Sequence, residues 1–140
     1  MSNYAGDVTP QEAWDMLKAD ENAILVDVRT EAEWRFVGVP DTSELNREVL
    51  FIEWVSYPDG ERNHQFVAQL KEAGLEPGAK APILFICRSG QRSIGAAVAA
   101  TDADLGPSYN VLDGFEGATD DNGHRGGAGW RAAKLPWHQS

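Results

Sequence analysis

The chain has 140 residues, 42% of them hydrophobic and 24% charged, which suits one water-soluble globular domain spanning 1–140 with room for a real core. A formal net charge of −10 argues against nucleic acid or an anionic membrane surface as a partner. The single cysteine rules out an internal disulfide and fits a reducing cytoplasm, and no apolar run approaches the ~18 residues that span a bilayer.

The first seven residues lack the basic-then-apolar pattern of an export signal. Thr9-Pro10-Gln11-Glu12 then marks a helix start: a capping threonine, a proline at the first helical position and a glutamate that completes a capping box. Ala13, Trp14 and Leu17 give that helix one apolar face, which ends near Asp20. Ala23 to Val28 reads as a buried strand, and Thr30-Glu31-Ala32-Glu33 repeats the capping pattern to open a short helix. Asp27 and Arg29 stand at the end of that strand, where ligands of open α/β sheets gather. They can meet a ligand there or form a supporting ion pair, with their neighbours or with Glu33. Gly38-Val39-Pro40-Asp41 reads as a turn. Val49 to Val55 reads as a strand, Ser56 to Gly60 as a loop, and Asn63 as the cap of a helix running through Ala73 with Phe66, Val67 and Leu70 inward. Gly74 ends that helix, and Leu75 to Ala81 connects it to the next strand.

The rest of the chain is arranged about Pro82-Ile83-Leu84-Phe85-Ile86-Cys87-Arg88-Ser89-Gly90-Gln91-Arg92-Ser93. An apolar run ending in the lone cysteine reads as a strand of a parallel sheet, covered on both faces. The polar loop after it passes at once into Ile94 to Thr101, a good helix former apart from Gly95. Strand, tight loop and helix in that order put the loop at the positive end of the helix, where unpaired N–H groups can cradle an anion. Ionising a thiol two pH units early takes about 2.7 kcal/mol, whereas a helix end supplies ~0.3–1 and at best ~2. Loop N–H groups and the guanidinium groups of Arg88 and Arg92 are therefore expected to contribute the remainder.

Beyond that helix, Leu105-Gly106-Pro107 is a stop and Tyr109 to Leu112 a last short strand. The Gly-rich 120–130 stretch is expected to be irregular, with His124 and Arg125 in a solvated loop. Trp130 to Pro136 reads as a short helical turn, with Trp130 and Trp137 covering apolar surface. His64, His124 and His138 show no metal-ligand spacing with Cys87, so neither metal nor other cofactor is expected. Strands alternating with helices imply an α/β fold of parallel strands with right-handed crossovers.

Cys87-Arg88-Ser89-Gly90-Gln91-Arg92-Ser93 resembles the active-site loop of the rhodanese-like sulfurtransferases. Leu25-Val26-Asp27-Val28-Arg29, Glu33-Trp34, Gly38-Val39-Pro40 and Tyr109-Asn110-Val111-Leu112-Asp113-Gly114-Phe115 match the family in the same order. The resemblance implies a rhodanese-like fold, a central mostly parallel sheet with helices on both faces. It also implies transfer of a sulfane sulfur through a persulfide on Cys87, with Arg88, Ser89, Gly90, Gln91, Arg92 and Ser93 binding the substrate. Expected partners are a small donor such as thiosulfate and an outside acceptor (cyanide, a thiol or a protein), because the chain has no second cysteine to resolve the persulfide. Two other readings stay open. Phosphatase or arsenate-reductase chemistry also uses a cysteine and an anion-cradling loop, but those loops resemble Cys, five residues, then Arg, whereas four residues separate Cys87 from Arg92. A non-catalytic binding or sensing module is the other, although inactive members of the fold are expected to lack the cysteine that this chain keeps.

Overall fold

A computed structural model describes residues 4–45, 47–55, 61–78, 80–88, 90, 92–117 and 128–138. Five strands form a wholly parallel sheet: β1 (Gly6–Val8), β2 (Ile24–Asp27), β4 (Leu50–Phe51), β5 (Ile83–Ile86) and β6 (Ser108–Val111), in the spatial order β1-β6-β5-β2-β4. The nucleophile strand β5 is thus central, paired with β6 on one side and β2 on the other. Successive side chains of a strand point to opposite faces, and β5 feeds both. Leu84 and Ile86 enter one core with Trp14, Leu17, Phe115 and Trp130, while Ile83, Phe85 and Cys87 enter the other with Phe66, Leu70, Ala96, Ala97 and Ala100. Both faces are covered, which is why β5 is apolar without alternation.

Helix α1 (Pro10–Ala19) covers the first face, and α3 (Phe66–Glu72) and α4 (Arg92–Asp102) the second. Both expected capping boxes are present: Glu12 N–H donates to Thr9 Oγ1 at 3.1 Å, and Glu33 N–H to Thr30 Oγ1 at 3.4 Å at the start of α2 (Glu31–Phe36). Gly74 follows α3 with φ +107, the left-handed conformation that ends helices. No described helix is long and apolar enough to cross a membrane.

Several elements differ from expectation. Gly38–Asp41 is not merely a turn: Val39–Pro40 is a strand, β3, paired antiparallel with β7 (Trp137–His138). Tyr109–Leu112 is therefore not the last strand. Strand β1 has too few residues and too little apolar character to be visible in the sequence. The expected Val49–Val55 strand is confined to β4, although Ile52 and Trp54 still donate to the Asp27 and Val28 carbonyls. Asn63 does not cap α3, which begins three residues later; its Oδ1 accepts from Gln65 N–H in an Asx turn, and its amide donates to Glu53 O and Gln69 Oε1. The Ser56–Gly60 loop and the 120–127 part of the Gly-rich stretch, with His124 and Arg125, lie outside the described residues. Trp130 is fully buried and its indole N–H donates to Pro136 O at 2.7 Å.

Candidate active site

Cys87 follows β5 directly and is 1% exposed. Its carbonyl and that of Arg88 are clasped by the turn after β6, with Phe115 N–H donating to Cys87 O at 2.8 Å and Glu116 N–H to Arg88 O at 2.9 Å. This contact needs Gly114. Its φ is +57, and a Cβ there would lie 2.3 Å from Cys87 O. Gly90 is also demanded by the backbone: its φ is +96, and that turn aims its N–H at Cys87 Sγ, 3.1 Å away. A second contact comes from Ser93 Oγ at 3.2 Å. The sulfur thus sits under the first turn of α4, as the strand–loop–helix pattern predicts.

The two arginines have different surroundings. Arg88 is exposed. Arg92, the first residue of α4, makes a two-pronged ion pair, Nη1 to Glu33 Oε1 at 2.8 Å and Nη2 to Glu33 Oε2 at 2.9 Å. Their side chains are only 25% and 17% exposed. Glu33 also closes the capping box of α2, so one carboxylate fixes that helix and the loop together. Burial works against its ionised form, but the Arg92 guanidinium and the Thr30 donors outweigh burial and hold its pKa at about 2, below the ordinary 4.5. Burial would likewise lower the Arg92 pKa, yet Glu33 raises it, with the Cys87 and Asp27 charges adding to the effect.

A depressed carboxyl pKa stabilises the fold above its unfolded value, and that stability fades as pH drops through the folded value. Glu33 therefore contributes fully above pH 4.5 and loses its contribution on the way down to about 2. Allowing for its partial exposure, Glu33→Gln is expected to cost about 1–2 kcal/mol in urea unfolding at neutral pH. The difference from the parent chain should shrink below pH 4.5 and vanish only below about pH 2; a difference that does not shrink over that range would mean the pair is not what Glu33 contributes.

Asp27 and Arg29 pair with each other, not with Glu33. Both are 0% exposed, joined by Arg29 Nη2 to Asp27 Oδ2 at 2.7 Å and Nε to both carboxylate oxygens. Arg29 also donates to Gly38 O and lies 4.3 Å over the Phe115 ring. No hydrogen bond links the pair to Cys87, so its place is beneath the site, where it holds the Gly38 turn and the Phe115 ring. Of the expected substrate-binding residues, Gly90 and Ser93 contact the sulfur, Arg92 flanks it and Arg88 lies at the surface. Ser89 and Gln91 are outside the described residues.

Sequence reasoning missed Asn110, whose Oδ1 accepts a hydrogen bond from the Ser93 hydroxyl, and Asp7, whose carboxylate accepts from the Asn110 amide at 3.0 Å. The available signal was a polar side chain inside a buried strand, which requires a partner. No cluster of His, Cys, Asp and Glu able to hold a metal occurs among the described residues.

Comparison with known proteins agrees with this geometry. The family model described as Rhodanese-like domain matches residues 9–121. The crystal structure of Rv0390 from M. tuberculosis superposes with a TM-score of 0.89 at 57% identity, covering 98% of this chain and 99% of that one. The polysulfide-sulfur transferase homodimer from Wolinella succinogenes shares the fold at 19% identity, with a TM-score of 0.65 over 99% of this chain and 80% of its own. An uncharacterized protein of Rickettsia conorii, RC0915, is 39% identical over 126 residues, 90% of this chain and 91% of that protein. Parallel sheet, cysteine-bearing loop and sequence match coincide: the chain belongs to the rhodanese-like domain family.

Proposed function

We propose that the protein is a thiosulfate sulfurtransferase-type enzyme working through a Cys87 persulfide. The observation that carries this reading is the single cysteine sulfur held 3.1 Å from the Gly90 N–H at the head of α4, with the Arg92 charge beside it. In the first half-reaction the Cys87 thiolate attacks the terminal sulfur of thiosulfate. A sulfur–sulfur bond forms, the donor's own sulfur–sulfur bond breaks, and sulfite leaves with its electron pair. In the second, cyanide or a thiolate attacks the outer sulfur of the persulfide and Cys87 leaves as thiolate. No electrons are gained or lost overall, and no general base is needed if the thiol is already ionised. The acceptor comes from outside, since the chain has no second cysteine.

Burial of Cys87 favours a donor that offers a terminal sulfur on a small anion. The exposed Arg88 suits the incoming or departing oxyanion, because a guanidinium stays charged and presents a planar fork of donors to oxygen. Arg92, occupied by Glu33, suits bracing the loop and adding positive potential. Arg88→Ala is accordingly expected to raise KM for thiosulfate roughly 10-fold, the loss of one charge-assisted hydrogen bond, with unchanged unfolding. Arg92→Ala should lower stability and kcat together. Steady-state kinetics at fixed ionic strength separate the two, and the reverse pattern would exchange their roles. The direct test is intact-mass detection of one sulfur atom added to the reduced protein by thiosulfate and removed by cyanide with release of thiocyanate. No added sulfur from thiosulfate, polysulfide or a thiol persulfide would point instead to a binding module.

A further inference from the structure

The second polar partner of Cys87 joins the sulfur to a line of side chains that ends at the edge of the sheet. Ser93 Oγ, 3.2 Å from the sulfur, donates to Asn110 Oδ1. Asn110 Nδ2 donates to Asp7 Oδ1 at 3.0 Å, and the same oxygen accepts from the Tyr4 hydroxyl at 2.9 Å. Ser93 and Asn110 are 0% and 1% exposed, whereas Asp7 is at the surface.

The outer end fixes the direction of the whole line. An ionised carboxylate only accepts, so Asn110 must turn its amino group to Asp7 and its carbonyl to Ser93. A serine hydroxyl has one proton. While that proton points to Asn110, Ser93 presents only oxygen lone pairs to Cys87, and on that side the matched state of the sulfur is a thiol donating to Ser93. A thiolate keeps the Gly90 N–H but gains a second donor only when the hydroxyl swings round to sulfur, which strips the buried Asn110 carbonyl of its own donor. We infer that Asn110, oriented by Asp7, is a positioning residue that competes with Cys87 for the single proton of Ser93 and so restrains ionisation of the thiol. The inference rests on Cys87 being the reacting sulfur.

Other described charges around the loop are Arg88 and Arg92 on the loop and α4, Asp27 at the end of β2 and Arg29 just after it, Glu33 on α2, and Asp113 and Glu116 after β6. All remain in place when Asn110 or Ser93 is changed, so the two substitutions read the hydroxyl alone. The restraint gives them opposite signs. Losing the Asn110 carbonyl frees the proton for sulfur and favours the thiolate, whereas losing the hydroxyl removes a donor the thiolate needs.

The experiment is the pH dependence of iodoacetamide alkylation, followed by intact mass, where the lone cysteine makes the signal unambiguous. The midpoint is expected to fall by about 0.5–1 pH unit in Asn110→Val and to rise by a similar amount in Ser93→Ala. The double variant should match Ser93→Ala, because Asn110 acts only through the hydroxyl. Asp7→Ala, a surface change, should shift the midpoint down even at a salt concentration that screens its charge, and this variant decides the matter if Asn110→Val fails to fold. A midpoint unmoved or raised in Asn110→Val, additive shifts in the double variant, or no shift in Asp7→Ala at high salt overturns the inference. Alkylation does not depend on sulfur transfer. Opposite shifts in a protein that never loads sulfur would leave the hydroxyl competition standing and remove the proposed activity.

Discussion

Cys87→Ser is expected to fold normally, take up no sulfur and lose thiocyanate formation by roughly a thousandfold or more, the scale of deleting an enzyme's nucleophile. The replacement keeps a polar atom within reach of the Gly90 N–H and the Ser93 hydroxyl, so thermal unfolding should move little. What fails is the chemistry. A hydroxyl needs a base to become a nucleophile, and no described histidine or carboxylate hydrogen-bonds the Cys87 sulfur. The site is built to favour an anion with N–H and guanidinium groups, which serves a thiol but cannot ionise an alcohol. Thiocyanate formation retained in the serine variant would place the reacting sulfur elsewhere and end the persulfide mechanism.

The parts of this site that lie within a few residues of Cys87 were readable from the chain itself. The β5–loop–α4 order and the helix end under the sulfur follow from 82–101, because local geometry needs only local residues. The capping boxes at Thr9 and Thr30 were legible for the same reason. Gly95, a poor helix residue in a good helix, has a reason that only the fold supplies: a Cβ there would come within 2.9 Å of the Trp54 ring. The polar partners were hidden because each is distant in sequence. Glu33 meets Arg92 across 59 positions, and Asn110 meets Asp7 across 103. Pairing of β3 with β7 likewise joins Val39–Pro40 to Trp137–His138. Nothing in Gly38-Val39-Pro40 marks it as more than a turn until Trp137 is laid against Gly38, where a Cβ would lie 2.8 Å from the indole. Composition and periodicity report which face a residue buries; they do not report which distant side chain it finds there.

Asp27→Ala should be the most damaging of these single changes to stability, costing about 3–5 kcal/mol, because it leaves a guanidinium buried without its counter-charge. Arg29 is 0% exposed and one of its nitrogens, Nη1, already has no hydrogen-bond partner among the described residues. The Phe115 ring at 4.3 Å offers it the face of a quadrupole, which cannot replace a carboxylate. Urea unfolding of Asp27→Ala should show a lower midpoint with an unchanged slope. A double variant, Asp27→Leu with Arg29→Met, should recover most of the loss, since buried ion pairs are often no more stabilising than apolar residues of similar size. The double variant also tests how the pair serves the site. If the two residues only hold the Gly38 turn and the Phe115 ring beneath Cys87, sulfur loading per folded molecule should return with stability. Recovery of stability without recovery of loading would instead mean that the Asp27 and Arg29 charges act on the sulfur through Arg92, whose own charge senses both Asp27 and Cys87.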